Sequence, residues 1–451
     1  MFQVERAYPS SVATLLSEME SQRLDFKSKR IDPAKLSRSL VAFANSDGGE
    51  IYVGIENDKN WDGFGQPEEA NAIADIISNI FPLGDFVKPI FIGCDGYQGL
   101  VLKLEIARTP DVKRDTKGDV YVRFGAQNLV KRDLASIRQL EYAKGVFSYE
   151  DVSVKSSLDD LENSKAIIEF ALNIVPHPKP KDWLRKQKLV VEEQATVAGA
   201  MLFLDEPQVY LPKSGIKIYR YRTIHTEGTR DTLAFDPVTI EGNAYALIGQ
   251  AVQETIERTQ DIPRLVKGGL EGILYPKEAI HEIITNAVIH RDYSINDETH
   301  VRIFDNRIEI FSPGKLPGYV TADNILKERF ARNPKTVRIL NKFKNAPNKD
   351  IGEGLNTAFE KMRELKLKDP VIAETEYGVT VSLFHELLAS PEQLVKEYLD
   401  TNPEINNGKA REICREGSEN KIKRMFERMM AAGIIERIPD RRGRATAYRK
   451  V

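Results

Sequence analysis

The chain has 451 residues, 29% of them charged, and a net charge of −2, long enough for several domains whose cores need no covalent staples. Two cysteines, Cys94 and Cys414, and six scattered histidines exclude a disulfide framework and a Cys-rich or His-rich structural metal site. No apolar run reaches the ~18 residues of a membrane span, and residues 1–6 lack a charged-then-apolar leader, so no membrane partner and a cytoplasmic location are expected.

Near the start, Glu20 and Asp25 lie five residues apart and are followed by Lys27, Lys29 and Arg30. A helix is expected around Leu36, Leu40, Val41 and Phe43. It ends at Ala44-Asn45-Ser46-Asp47-Gly48-Gly49, where the glycine pair marks a turn needing positive φ. Residues 51–55 read as a buried strand, and 100–107 and 120–124 as two more, around a basic loop with Lys113, Arg114 and Lys117. Residues 145–180 form a connector with a helical segment at 158–170 and a stiff Pro176-His177-Pro178-Lys179-Pro180 break. A small α/β segment without chemistry of its own follows at 181–235, then a helix over 244–258.

The most informative stretch is 275–292. Ala279, Ile280, Ile283, Ile284, Ala287 and Val288 repeat at the helical period behind Pro276. Glu282, Asn286 and His290 then form a row, four residues apart, along the polar flank. An amide oxygen suits Mg²⁺, a hard cation, and a carboxylate one turn away can orient or deprotonate a water. Residues 300–304 and 307–311 predict a β-hairpin across Asp305-Asn306. It runs into Ser312-Pro313-Gly314-Lys315-Leu316-Pro317, then a basic, strand-poor stretch over 327–349 with Arg329, Arg332 and Lys335. Ile351-Gly352-Glu353-Gly354-Leu355 opens a further helix, and a glycine turn at a helix start offers N–H groups and a positive dipole end to phosphates. A last strand is expected at 379–384.

Residues 405–451 carry thirteen Lys or Arg against six Asp or Glu, a basic module that suits an acidic partner such as nucleic acid. Helices are expected at 391–399, 408–415 and 419–432, then strands at 434–438 and 445–449 around an arginine-rich tip. This pattern reads as a winged helix. Its third helix would present Asn420, Lys421, Lys423 and Arg424 to a major groove, and its wing would present Arg441, Arg442 and Arg444 to phosphates or a minor groove.

The order from the Glu-x-x-x-Asn helix to the Gly-x-Gly turn resembles the GHKL ATPase fold of gyrase and histidine kinases. Ala287-Val288-Ile289-His290-Arg291-Asp292-Tyr293-Ser294, Pro313-Gly314-Lys315-Leu316-Pro317 and Arg332-Asn333-Pro334 resemble, more closely still, a bacterial and archaeal subgroup described as transcriptional regulators. The resemblance implies ATP and Mg²⁺ as cofactors, with Asn286 on the metal and Glu282 activating water. His290, Ser312, Gly314, Arg332, Lys335, Gly352 and Gly354 would hold the nucleotide. Where family members place an Asp that reads the adenine amino group, this chain has Ser312, so weaker base discrimination is expected.

Asp25-Phe26-Lys27, Ala42-Phe43-Ala44-Asn45-Ser46-Asp47-Gly48-Gly49 and Gly54-Ile55 resemble the Alba-like DNA-binding domain shared with Schlafen proteins. Two functions follow as alternatives. In one, Lys27, Lys29, Arg30, Lys113 and Arg114 contact phosphates without reading sequence. In the other, Glu20, Asp25 and Asp58 form the acidic triad of a Mg²⁺- or Mn²⁺-dependent nuclease, as in some Schlafen proteins. The expected molecule is an α+β multidomain chain. A Schlafen/Alba-like domain spans 1–144, a connector and small α/β segment 145–235, a GHKL ATPase-like α/β sandwich 236–388 and a winged helix 389–451. The expected function is ATP-binding, DNA-binding transcription regulation with weak ATPase activity, and the alternative is a nuclease effector gated by the ATPase-like domain. DNA is the expected partner, RNA the alternative, and a homo-oligomer the expected assembly.

Overall fold

The computed structural model describes residues 3–174, 179–225, 228–260, 262–266, 269–272, 275–348, 354–365, 367–385, 391–414, 418–439, 441 and 446–451. The chain divides into a main unit, 1–362 with 369–384, and a second unit, 363–368 with 385–451.

The main unit opens with a five-stranded sheet in the order Gln3–Ala7, Val87–Cys94, Val101–Ile106, Gly49–Val53, Leu24–Lys27. The two outer pairs are parallel and the inner pairings antiparallel. Helix Pro33–Asn45 starts cleanly because the Asp32 side chain accepts from the Ala34 N–H and Pro33 occupies the first turn. Its Leu36, Leu40 and Phe43 pack on Ile51, Val53, Phe91, Leu102 and Leu104, all fully or almost fully buried. Burial of side chains this size stabilises by about 1.5–3 kcal/mol each. The glycine pair does what its sequence requires. Gly48 and Gly49 have φ of +68° and +137°, and a Cβ on either would meet the backbone of Ile106 or Arg23. The Asn45 amide donates to the carbonyls of Lys113 (2.8 Å) and Tyr121 (2.9 Å). It thereby ties the basic loop and the hairpin Val120–Phe124/Gln127–Lys131 to the end of the helix.

A six-stranded sheet follows in the order Val238–Ile240, Ile216–Arg220, Thr299–Ile303, Arg307–Pro313, Gly378–Phe384, Val371–Glu374. Only Ile216–Arg220 and Thr299–Ile303 are parallel. This sheet therefore draws strands from both sides of the expected 235/236 boundary. Helices Ala244–Gln260 and Lys277–Ile289 pack together and cover it. All six apolar positions of the second helix are at most 6% exposed, as its periodicity predicts. In the connector, the expected helix at 158–170 is two, Leu158–Glu162 and Lys165–Ile174, separated at Asn163-Ser164, where the Ser164 hydroxyl accepts from Ile167 N.

The second unit holds helices Pro391–Thr401, Asn407–Cys414 and Glu419–Ala431 and a three-stranded antiparallel sheet ordered Ile405–Asn406, Ala447–Lys450, Ile435–Arg437. Val395, Ile405, Ile422, Met425, Phe426, Met429 and Ile435 form its core.

Candidate functional site

A cavity of about 690 Å³ opens beside helix Lys277–Ile289 in the main unit, and it gathers Glu282, Asn286, His290, Ser312, Gly314 and Gly354. That volume falls within the range of small-molecule sites. The floor is apolar, with Ile283, Ala287, Ile310, Leu316, Val320 and Val381.

The Asn286 amide nitrogen donates to Glu282 Oε1 at 2.9 Å. This orientation leaves the amide oxygen as the group available for a hard cation, which fits Mg²⁺ held jointly by the protein, phosphate oxygens and water. Burial raises the Glu282 carboxyl above its usual range, with the Asn286 contact acting in the opposite sense. A carboxylate with higher proton affinity is a better general base near neutral pH. Gly354 begins helix Gly354–Glu364, and a Cβ there would collide with the Glu282 carboxylate, so the glycine is what lets the helix start and that carboxylate share one place. Gly352 lies outside the described residues.

Ser312 Oγ donates to the Ala287 carbonyl at 2.8 Å. Its proton is thus engaged and its lone pairs remain to accept from a ligand amino group. Gly314 adopts φ +99° and approaches Asp292 so closely that a Cβ would overlap the Asp292 side chain. His290 is the last residue of the row and caps the helix through its N–H to Asn286 O. Burial, reinforced by Arg332, pulls its imidazole down to about 4, so it faces the cavity neutral and adds no charge toward phosphate. Its Nδ1 is buried without a hydrogen-bond partner.

Two expected ligands are placed elsewhere. Arg332 is 3% exposed, pairs with Asp292 at 3.0 Å, and donates to the carbonyls of Tyr142, Ala143 and Lys315. Lys335 pairs with Asp151, and its N–H donates to Glu150. A buried guanidinium needs such partners, and here they tie Tyr142 and Ala143 to the segments around Asp292 and Lys315. Neither residue lines the cavity. Among the described residues, Lys277, Lys315 and Arg329 do; the sequence places Lys315 in the Pro-Gly turn and Arg329 in the basic stretch without marking any of the three as a nucleotide contact. Their flanking positions, at the helix start, inside the Pro-Gly turn and in the basic stretch, were the available signal.

In the N-terminal region, the expected phosphate contacts are tied to carboxylates and carbonyls. Lys27 lies 2.7 Å from Asp25 and 3.8 Å from Glu20, Lys29 lies 2.7 Å from Asp62, and Arg30 lies 3.3 Å from Glu56. Lys113 pairs with Asp111 at 3.1 Å, and Arg114 donates to the Gly118 carbonyl. The acidic triad is not assembled. Asp25 is fully buried between Lys27 and Arg123, Glu20 accepts from the Phe26 N–H, and Asp58 accepts from the Asn60 N–H. Burial and then the hydrogen bond to Asp25 raise the Glu20 carboxyl. The Lys27 ammonium lies beside both carboxylates, closer to Asp25 than to Glu20. Among the described residues, no three His, Cys, Asp or Glu side chains come together to hold a metal ion.

In the second unit, Asn420, Lys421, Lys423 and Arg424 lie on the exposed face of helix Glu419–Ala431, opposite its buried Ile422, Met425, Phe426 and Met429. Arg441 pairs with Glu404. Arg442 and Arg444 lie outside the described residues.

Residues 20–131 match the family model described as "Schlafen, AlbA_2". Residues 296–383 match the model described as "Putative ATP-dependent DNA helicase recG C-terminal". Among solved structures, the DIP2311 protein from Corynebacterium diphtheriae aligns over 98% of this chain and 96% of its own at 18% identity, with a TM-score of 0.41. No curated protein matches. No helix among the described residues is long and apolar enough to cross a membrane. The chain thus carries a Schlafen/AlbA_2-type domain followed by an ATPase-like domain of the recG C-terminal type, a pairing that goes with nucleic-acid-binding proteins of the ATPase class.

Proposed function

We propose that this protein is a DNA-binding transcription regulator whose affinity for DNA responds to a nucleoside triphosphate. The observation that carries the reading is the convergence of Glu282, Asn286, Ser312 and Gly354 on one cavity of about 690 Å³. Asn286 would hold Mg²⁺ against the phosphates, and the Gly354 helix start would face them. The apolar floor takes the base, and Ser312 accepts from its amino group. Mg²⁺ supplies neutralisation of phosphate charge; Glu282 orients water and receives its proton if hydrolysis occurs.

The second unit serves as the DNA reader in this account. Its order of three helices and three strands, with the basic exposed face of Glu419–Ala431, supports a winged helix. The Schlafen/AlbA_2-type domain adds contacts that do not read sequence, and two copies on paired half-sites form the working assembly. The nuclease alternative would rest on Glu20 and Asp25, which lie together beside Lys27.

Gel shifts over a series of salt concentrations, with and without ATP and Mg²⁺, test the proposal. A steep salt dependence and a nucleotide-dependent change in affinity are expected. Binding that ignores nucleotide at every salt concentration would remove the regulatory part of the reading.

A further inference from the structure

The Pro-Gly turn of the nucleotide cavity is bonded directly to the glycine loop of the N-terminal sheet. Lys315 lines the cavity beside Ser312 and Gly314, and its ammonium lies 3.2 Å from Asp47 Oδ1. Asp47 Oδ2 accepts from Gln22 Nε2 at 2.8 Å. Gln22 Oε1 in turn accepts from the Gly125 N–H at 2.8 Å, and Gln22 Nε2 also donates to the Arg123 carbonyl. Gly125 sits in the turn of the hairpin Val120–Phe124/Gln127–Lys131. The tip carries Phe124, an aromatic ring 62% exposed, and Lys131 and Arg132 follow at the far end of the second strand. An exposed ring offers a face on which a nucleic-acid base can stack. A continuous polar path of three residues therefore joins the cavity to that hairpin.

The backbone at Lys315 is fixed. Its carbonyl accepts from Arg332, and the next N–H, of Leu316, donates to Glu374 at 2.8 Å. Glu374 is itself paired with Arg108 of the N-terminal region at 3.0 Å. The side chain of Lys315 is the part left to respond. Burial alone would raise the Asp47 carboxyl, but Lys315 and Gln22 hold it below its usual range.

We propose that Lys315 is the positioning residue that couples the nucleotide cavity to the N-terminal domain, gripping Asp47 more firmly when a nucleotide covers it; this rests on the nucleotide reading above. The Lys315 and Asp47 side chains are 32% and 22% exposed. A ligand lying along Ser312 and Gly314 covers the lysine and removes water from the pair, and attraction between opposite charges grows as the local dielectric falls. The coupling is reciprocal: a nucleotide that strengthens the pair is itself bound more tightly because the pair exists. Asp47 does not line the cavity, and its direct link to a residue that does is the pair with Lys315.

Calorimetric titration of ATP with Mg²⁺ into the full chain and its Asp47→Asn, Lys315→Met, double and Lys315→Arg variants provides the test. Asp47→Asn keeps an acceptor for Gln22 and removes the charge. It should weaken nucleotide about fivefold, the lower range of measured couplings, when Lys315 is present, and change nothing in the Lys315→Met background. Lys315→Arg should restore the effect. Hydrogen exchange at residues 46–49 and 122–127 should slow on adding nucleotide to the wild type and to Lys315→Arg, but not to Lys315→Met. Additive effects of the two substitutions, or exchange that is unchanged or faster in the wild type, overturn the coupling while leaving the nucleotide site standing. A wild type that binds no nucleotide removes both.

Discussion

Gly354→Ala tests how tightly the site is built. The three atoms nearest to an added Cβ all belong to the Glu282 carboxylate, so the alanine variant must expel that group. Expulsion breaks the 2.9 Å bond from Asn286, and losing a hydrogen bond to a charged, mostly buried group costs about 1.5–3 kcal/mol. Alanine returns up to ~1 kcal/mol through its better helix propensity. The net expectation is a loss of about 0.5–3 kcal/mol of stability, together with weaker Mg²⁺-dependent nucleotide binding, because Asn286 loses its orientation. Glu282→Ala removes the obstacle. In that background Gly354→Ala should be neutral or slightly stabilising. Urea denaturation of the four proteins gives the cycle. Equal costs of Gly354→Ala with and without Glu282 would mean that the steric partner lies elsewhere.

Arg332→Ala should cost about 3–5 kcal/mol, the range for breaking a buried ion pair, because it strands Asp292 in the interior; a small change in urea midpoint with lost nucleotide binding would return Arg332 to the role of ligand. Lys144 is 1% exposed and donates to the Ala44 and Thr109 carbonyls, and burial lowers its ammonium to about 7 from 10.5. The unfolded chain then holds the extra proton between those values, so stability rises with pH from about 7 toward 10.5. Urea midpoints at pH 7 and pH 9 should differ in this sense for the wild type and converge for Lys144→Met. An unchanged pH slope in the variant would show that another group is responsible. At the base end, Ser312 is a neutral acceptor, so ATP and GTP should differ in affinity by ~1–2 kcal/mol or less, whereas strong selectivity for ATP in competition titrations would mean that another group reads the base.

Much of the site's scaffold is legible in local sequence. The helix Lys277–Ile289 follows from the spacing of six apolar residues behind Pro276, and the hairpin from alternation around Asp305-Asn306, because both depend on which face meets the core. The strands Gln3–Ala7 and Val87–Cys94 were not foreseen. The first is mostly exposed and reads as polar, so its place depends on pairing with residues more than eighty positions away. Charged residues were the hardest to assign. Arg332, in a basic stretch beside an Asn-Pro turn, looks like a phosphate ligand until Asp292, forty residues earlier, is seen against it. Lys27 looks like a phosphate contact until the sheet sets it beside Asp25. Lys315 gave the opposite error: its turn was noted for its glycine and prolines, while its role depends on Asp47, far away in the chain. A charge's partner is fixed by tertiary contact, and short-range spacing carries little information about it.

The proposed function rests on binding of a nucleoside triphosphate, through Mg²⁺, in the cavity at Asn286 and Gly354. Calorimetry of ATP with and without Mg²⁺ on the wild type, Asn286→Ala and Glu282→Ala tests it most directly. Mg²⁺-dependent binding is expected for the wild type and none for Asn286→Ala, while Glu282→Ala should still bind but show no hydrolysis. Asn286→Ala binding as well as the wild type, or a wild type that binds no nucleotide, would contradict it.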